Sequence, residues 1–139
     1  LIMLSLVSHE PHFCLLREVV SFGGGSRGQP SRETISNPSE QSFILLASGL
    51  LRDYIDTEFR DETLKHGYDL ERTIDDIILI IMLVGNDFLP PLPTLDINEG
   101  ALTTLFGIYK ELLHTMGGYL SNKGTINMER MELFLIEVG

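Results

Sequence analysis

The segment Val84-Gly85-Asn86-Asp87-Phe88-Leu89-Pro90 holds the side chain best placed for chemistry, the carboxylate of Asp87. It follows eight apolar residues at 77–84, with Gly85 before it and prolines at 90, 91 and 93 after it. An acid on a turn set by glycine and framed by proline, hung on a buried element, is held firmly enough to ligate a divalent cation. An Asn-Asp pair after a helix is usually an ordinary turn, which is the reading the residues alone favour over the metal role. Asp76 stands eleven residues earlier. On a continuous helix that spacing is about 16 Å along the axis, too far for the two acids to share an ion, so Asp76 is expected to support the structure. His9-Glu10-Pro11-His12 has two imidazoles three apart. Pro11 denies them the helical face that a zinc motif uses, and no third ligand follows, so a hydrogen-bonded turn is the expectation. Gly23-Gly24-Gly25-Ser26-Arg27-Gly28 matches a phosphate loop in composition only, because it lacks the Gly-Lys-Ser/Thr ending and no periodic helix follows it.

The elements that must position these groups follow from patterning. Residues 1–7 are almost uniformly apolar, which suits a strand buried on both faces of a parallel sheet, and residues 13–20 suit a second strand. From 21 to 42 only Phe22 and Ile35 are large and apolar, so burial cannot offset ordering and a loop or linker is expected, with a subdomain boundary there. Phe43-Ile44-Leu45-Leu46 reads as a short strand, and Ser48 as the cap of a helix with Leu50, Leu51, Tyr54 and Ile55 on one face. Asp69 caps a buried helix over 70–84, ended by Gly85. Asp96-Ile97-Asn98-Glu99 reads as a capping box before a helix with Leu102, Leu105, Phe106, Tyr109, Leu112 and Leu113 inward, stopped by Gly117-Gly118. Tyr119-Leu120 and Thr125-Ile126 should form a hairpin. Asn127 should cap a last helix with Met128, Met131, Leu135 and Val138 inward.

Composition bounds the function. The 139 residues carry 20 acidic and 10 basic side chains, a formal charge of −10, which argues against a self-contained nucleic-acid-coating module. It leaves room for an enzyme that holds cations against phosphates, since the ion reverses the local charge. Nine acids against four bases at residues 52–76 carry half of the net charge, and a solvated helix face is the expected reading. The single cysteine, Cys14, rules out an internal disulfide and a multi-cysteine zinc site, and makes a reducing, intracellular setting the default. No apolar run approaches the roughly 20 residues of a membrane span. With no basic stretch before the apolar start, a signal peptide is not expected, and the chain reads as opening inside a strand.

Leu1-Ile2-Met3-Leu4, His9-Glu10-Pro11-His12-Phe13, Leu15-Leu16-Arg17-Glu18, Leu51-Arg52-Asp53-Tyr54, Ile74-Asp75-Asp76, Val84 to Pro90 as written above, Asp96-Ile97-Asn98-Glu99-Gly100-Ala101 and Gly117-Gly118-Tyr119-Leu120 occur in an order and spacing that resembles the Xrn family of 5′→3′ exoribonucleases. The resemblance runs over essentially the whole chain. It implies an α/β fold: part of a PIN/flap-endonuclease-like nuclease core, then a mostly helical segment. Residues 1–20 would end the amino-terminal nuclease segment, 21–42 form the loop, and 43–139 belong to the central helical part of the catalytic region.

The resemblance also implies chemistry. The family's Gly-Asn-Asp acid is a metal ligand, which carries over to Asp87 as the catalytic and metal-binding residue, with Mg²⁺ as the cofactor and Mn²⁺ as its substitute. The implied substrate is single-stranded RNA with a 5′ monophosphate, cut successively to nucleoside 5′-monophosphates by two-metal hydrolysis in RNA decay. In the family an Asp-Ala-Asp pair precedes the Leu-Ile-Met strand, so the other acidic ligands and the 5′-phosphate pocket would come from the rest of the same polypeptide. This piece alone would then be inactive. The Phe22-Gly23-Gly24 loop resembles the cytoplasmic paralogue, which implies a cytoplasmic location. Pro91 departs from the family, which usually has His there. A flap-endonuclease-like DNA nuclease and a non-catalytic scaffold are the rival readings; the His9 to Phe13 block speaks against the first, and only upstream sequence separates the second.

Overall fold

Two strands that the sequence holds 24 residues apart pair first. β1 (Cys14–Glu18) and β2 (Phe43–Ala47) form an antiparallel ribbon with Leu16 opposite Leu45. The ladder is extended at one end by Val19 N–H donating to Ser42 O (2.8 Å) and at the other by Ser48 N–H donating to Phe13 O (3.1 Å). The computed structural model describes residues 12–19, 42–85, 88, 90–91 and 100–139. Residues 1–7, His9, Glu10, Pro11 and nearly all of the 21–42 segment therefore lie outside the described residues, as does the parallel sheet expected around 1–7. Within them the fold is mixed helix and sheet, and both two-stranded pairings are antiparallel. Every residue of β1, and all of β2 but the half-buried Ala47, is exposed.

The chain passes from β2 straight into α1 (Ser48–Phe59), with Ala47 at the cap position and no side-chain cap. Ser48 is thus not the cap expected of it; it is the first helical residue and is buried. The buried face is Ser48, Ile55 and Phe59 with Leu51 partly covered, whereas Leu50 and Tyr54, expected inward, are 53% and 65% exposed. One residue, about 100° of rotation, separates the two choices, and Phe59 decides it: its ring meets Phe106 edge-on (5.5 Å) and Tyr109 at 6.0 Å, which commits the 51/55/59 stripe to the core.

α2 (Leu70–Leu83) is the spine. Its Thr73, Ile74, Asp76, Ile77 and Ile80 are buried at helical spacing, and α1, α3 and the hairpin strand β3 all pack on it. α3 (Ala101–Thr115) turns Leu105, Tyr109 and Leu113 inward, as expected, with Phe106 and Leu112 at the edge, whereas Leu102, expected inward, is exposed in the helix's first turn. Its N-cap is Gly100 without a side-chain cap; the capping box at 96–99 lies outside the described residues. β3 (Ser121–Asn122) and β4 (Thr125–Ile126) make the hairpin two residues later than Tyr119-Leu120, because Tyr119 and Leu120 are buried in the core. Lys123 (φ 48°) and Gly124 (φ 81°) form its turn, both in the left-handed region that a two-residue hairpin requires. α4 (Met128–Val138) starts at Asn127, whose side chain accepts from Arg130 N–H. It buries Met131 and the unanticipated Phe134; Met128 and Leu135, expected inward, are exposed.

Candidate functional site

The end of α2 matters because Asp87 follows it, so the anchoring of α2 comes first. At its start, Asp69 accepts from Glu71 N–H (3.0 Å) and Arg72 N–H (3.3 Å), filling donors that a helix leaves unpaired. At its middle, the fully buried Asp76 is met by four donors. Oδ2 accepts from Tyr109 OH (2.8 Å) and Leu120 N–H (2.7 Å), and Oδ1 from Ser121 N–H (2.8 Å) and Ser121 OH (2.6 Å). One carboxylate thus ties α2 to α3 and to the start of the hairpin. Burial pushes its pKa up, outweighing the pull of the four donors in the other direction. The same burial, with the Asp76 charge beside it, drives the Tyr109 hydroxyl well above its ordinary value.

Asp76 therefore has no lone pair to spare for a metal, which agrees with the structural role expected of it. The helical spacing used to set it apart from Asp87 does not run through, however: α2 stops at Leu83, and Gly85 reverses the chain at φ +95°. Gly85 N–H donates to Met82 O (3.2 Å), which closes the helix end. Pro91 is folded back onto Gly85. A methyl group on Gly85 would lie 2.7 Å from Pro91 N and 3.0 Å from its Cα and Cδ, so only glycine fits. Asn86 and Asp87 themselves lie outside the described residues. Among the described residues, no group of three or more His, Cys, Asp or Glu side chains could hold a metal ion. Those residues do not build a metal site by themselves.

A second cluster locks the end of α3. Arg130 on α4 donates to Met116 O (3.1 Å), at the C-cap of α3, and to Gly117 O (3.2 Å) and Tyr119 O (2.9 Å) in the segment that follows. Gly118 leaves room for it, since a Cβ there would fall 2.6 Å from the guanidinium and displace it. Tyr119 OH accepts from Asp69 N–H (2.6 Å) and donates to Gly67 O (3.2 Å), with Arg72 over its ring. His66 meets that ring edge-on at 5.0 Å, and desolvation, followed by the charges of Arg130 and Arg72, lowers its pKa. The acidic stretch is largely a solvated face with ion pairs from Arg52 to Glu71 and Arg60 to Asp56, and with His114 Nε2 3.0 Å from Asp61 Oδ2. His12 is exposed, and Cys14 is a free, exposed thiol.

Sequence reasoning missed Tyr109, Ser121, Tyr119 and Arg130 as polar organisers. The available signal was a lone acid, Asp76, on the buried face of α2, which demands buried donors from elsewhere. No helix among the described residues is long and apolar enough to cross a membrane.

Residues 67–139 match the model of the Xrn1 helical domain. A 5′-3′ exoribonuclease 1 of Schizosaccharomyces pombe is 53% identical over 99% of this chain and 10% of its own length. The 5′-3′ exoribonuclease 1 of Homo sapiens is 47% identical over the whole chain and 8% of its length. The 5′-3′ exoribonuclease 2 of S. pombe is 43% identical over the whole chain and 15% of its length. The chain thus spans between 8% and 15% of these relatives.

Proposed function

Because this chain belongs to the Xrn family of 5′-3′ exoribonucleases, we propose that it is a segment of the catalytic region of a longer exoribonuclease. That enzyme degrades 5′-monophosphorylated single-stranded RNA to nucleoside 5′-monophosphates in the cytoplasm. The observation that carries this is identity of about half, over essentially the full chain, to proteins named 5′-3′ exoribonuclease 1. The proposed cofactor is Mg²⁺, with Mn²⁺ able to replace it, and a pair of such ions supplies an activated water and stabilises the leaving oxygen. Asp87 is this segment's proposed ligand. The remaining ligands and the 5′-phosphate pocket belong to the rest of the polypeptide, as does the PIN-like part of the core.

What the described residues do in this reading is mechanical. Asp69 and Asp76 fix α2 against α3 and the hairpin, and Gly85 turns the chain at the helix end two residues before Asp87. The test is Asp87→Asn in the full-length enzyme, which preserves shape and turn propensity while removing the charge that the ion needs. Turnover of 5′-monophosphorylated RNA across a Mg²⁺ titration should fall by more than the roughly 10- to 100-fold of a change in an outer supporting group, with melting temperature and RNA binding retained. Near-normal turnover at ordinary Mg²⁺ removes Asp87 from the site. Equal cleavage of DNA flaps favours the flap-nuclease reading, and an inactive wild-type enzyme favours the scaffold.

A further inference from the structure

α2 is apolar on two sides, and the core covers only one of them. Ile74, Ile77 and Ile80 face the core, while Asp75, Ile78, Leu79 and Met82, spaced i, i+3, i+4 and i+7, form a second stripe that is only half-buried. That stripe is one wall of an open groove of about 330 Å³, and Ser121 and Ile126 of the hairpin stand in the other. From Ile77 to Leu83 the helix carries no polar or charged residue. A helix apolar all round belongs in an interior, so this second wall is built to be covered.

We infer that the groove between α2 and the hairpin seats an amphipathic helix from the part of the same polypeptide outside residues 1–139, with a Lys or Arg of that helix facing Asp75; this rests on the chain being a segment of a longer exoribonuclease, and on neither Asp87 nor a metal.

Shape, charge and supply select that occupant. Residues 75 to 82 give a straight wall about 10 Å long, at 1.5 Å per residue, of the kind on which the side-chain ridges of a second helix pack. A helix also meets its own backbone hydrogen bonds, so it lies on an apolar wall without orphaning donors. Asp75 is the only charged residue lining the groove, and among the described residues it joins none of the ion pairs. Burial raises its pKa, Glu71 and Asp69 add to the rise, and Arg72 draws it the other way. Covering such a carboxylate with an apolar surface alone is costly, and a cation on the occupant removes that cost. The segment makes up 8% to 15% of the length of its relatives, so most of the polypeptide is tethered nearby and competes at high effective concentration with any separate partner.

The test uses the full-length protein with p-benzoylphenylalanine in place of Ile126, a groove residue that is 40% exposed here. Irradiation should give a product of monomer mobility whose crosslinked peptide, identified by mass spectrometry, is a helix-forming segment outside residues 1–139 that contains Lys or Arg. A crosslink within 1–139, to a second copy or to another protein, or no crosslink at all, overturns the proposal. If that variant does not fold, Ile126→Cys carries the test: iodoacetamide should label it about 100-fold or more slower in native buffer than in urea, and labelling within about tenfold of the unfolded rate overturns the cover. The charge is tested separately in the Ile126→Cys protein. Asp75→Lys places a lysine four residues after Glu71, which favours α2 itself, yet against a facing cation it should speed labelling at residue 126 by about tenfold or more. Reversing the Lys or Arg of the crosslinked helix to Glu should then restore the slow rate. Unchanged or slower labelling in Asp75→Lys overturns the choice of a basic helix. None of these readouts uses RNA or Mg²⁺, so loss of the exoribonuclease reading and loss of the docked helix are told apart.

Discussion

Asp76→Asn removes almost no volume, yet it should be among the most damaging changes to this part of the protein. The carboxylate accepts two hydrogen bonds at each oxygen, and every donor is buried or part of the buried corner. An asparagine oxygen can keep one pair, either Tyr109 OH with Leu120 N–H or Ser121 N–H with its hydroxyl. Its NH₂ then faces the other two donors. Ser121 or Tyr109 can rotate its hydroxyl to accept, but a backbone N–H cannot, so at least one buried N–H is orphaned against another donor. An orphaned buried donor costs about 1–3 kcal/mol, and loss of charge assistance to the bonds that remain adds about 1 kcal/mol, giving about 2–4 kcal/mol of local stability. Relief of the buried charge, whose pKa is already raised, works against this and places the result toward the lower end. Hydrogen exchange in the full-length protein reads the change directly: amides of Leu120 and Ser121 should exchange about 30- to 1,000-fold faster, at 1.4 kcal/mol per factor of ten. Tyr109→Phe removes one donor and orphans none, so it should cost less, about 1.5 kcal/mol. Exchange at Leu120 and Ser121 unchanged within threefold in Asp76→Asn, or a larger effect from Tyr109→Phe, would refute the view of Asp76 as the central tie.

Asp69→Ala deletes the cap of α2 and should cost about 1 kcal/mol, read as faster exchange in the helix's first turn while its centre is unchanged. His66 has a folded pKa below the usual 6.5, so the unfolded chain binds more protons near that pH; stability should fall as pH drops through 6.5, and His66→Gln should flatten that part of a melting-temperature profile. The 139-residue chain, incubated alone with Mg²⁺ and 5′-monophosphorylated RNA, should release no more mononucleotide than its Asp87→Ala variant, because one carboxylate cannot position two ions.

Local rules were enough wherever an element is specified by its own residues. Asp69 and Asn127 cap the helices expected of them and Gly85 ends α2, because capping and left-handed backbone depend on a few neighbouring atoms. The long apolar repeat of α3 was legible for the same reason: three of its residues, spaced by one turn, could only face inward. The order of short motifs along the chain likewise carried the family, since order and spacing are properties of sequence.

Only the tertiary structure decided which face of an ambiguous helix is buried and what a lone polar residue is for. Leu50 and Tyr54 fit a helical stripe as well as Leu51 and Ile55 do, and the ring of Phe59 against Phe106 and Tyr109 settled it from outside the helix. α4 carries apolar residues on both sides, so Phe134 rather than Leu135 went inward because of where α3 lies. Asp76 pairs with donors 33 to 45 residues away, and Gly85 with a proline beyond the turn; neither partner is implied by spacing. A helix cap is satisfied within four residues, but a buried carboxylate is satisfied by whatever the fold brings to it.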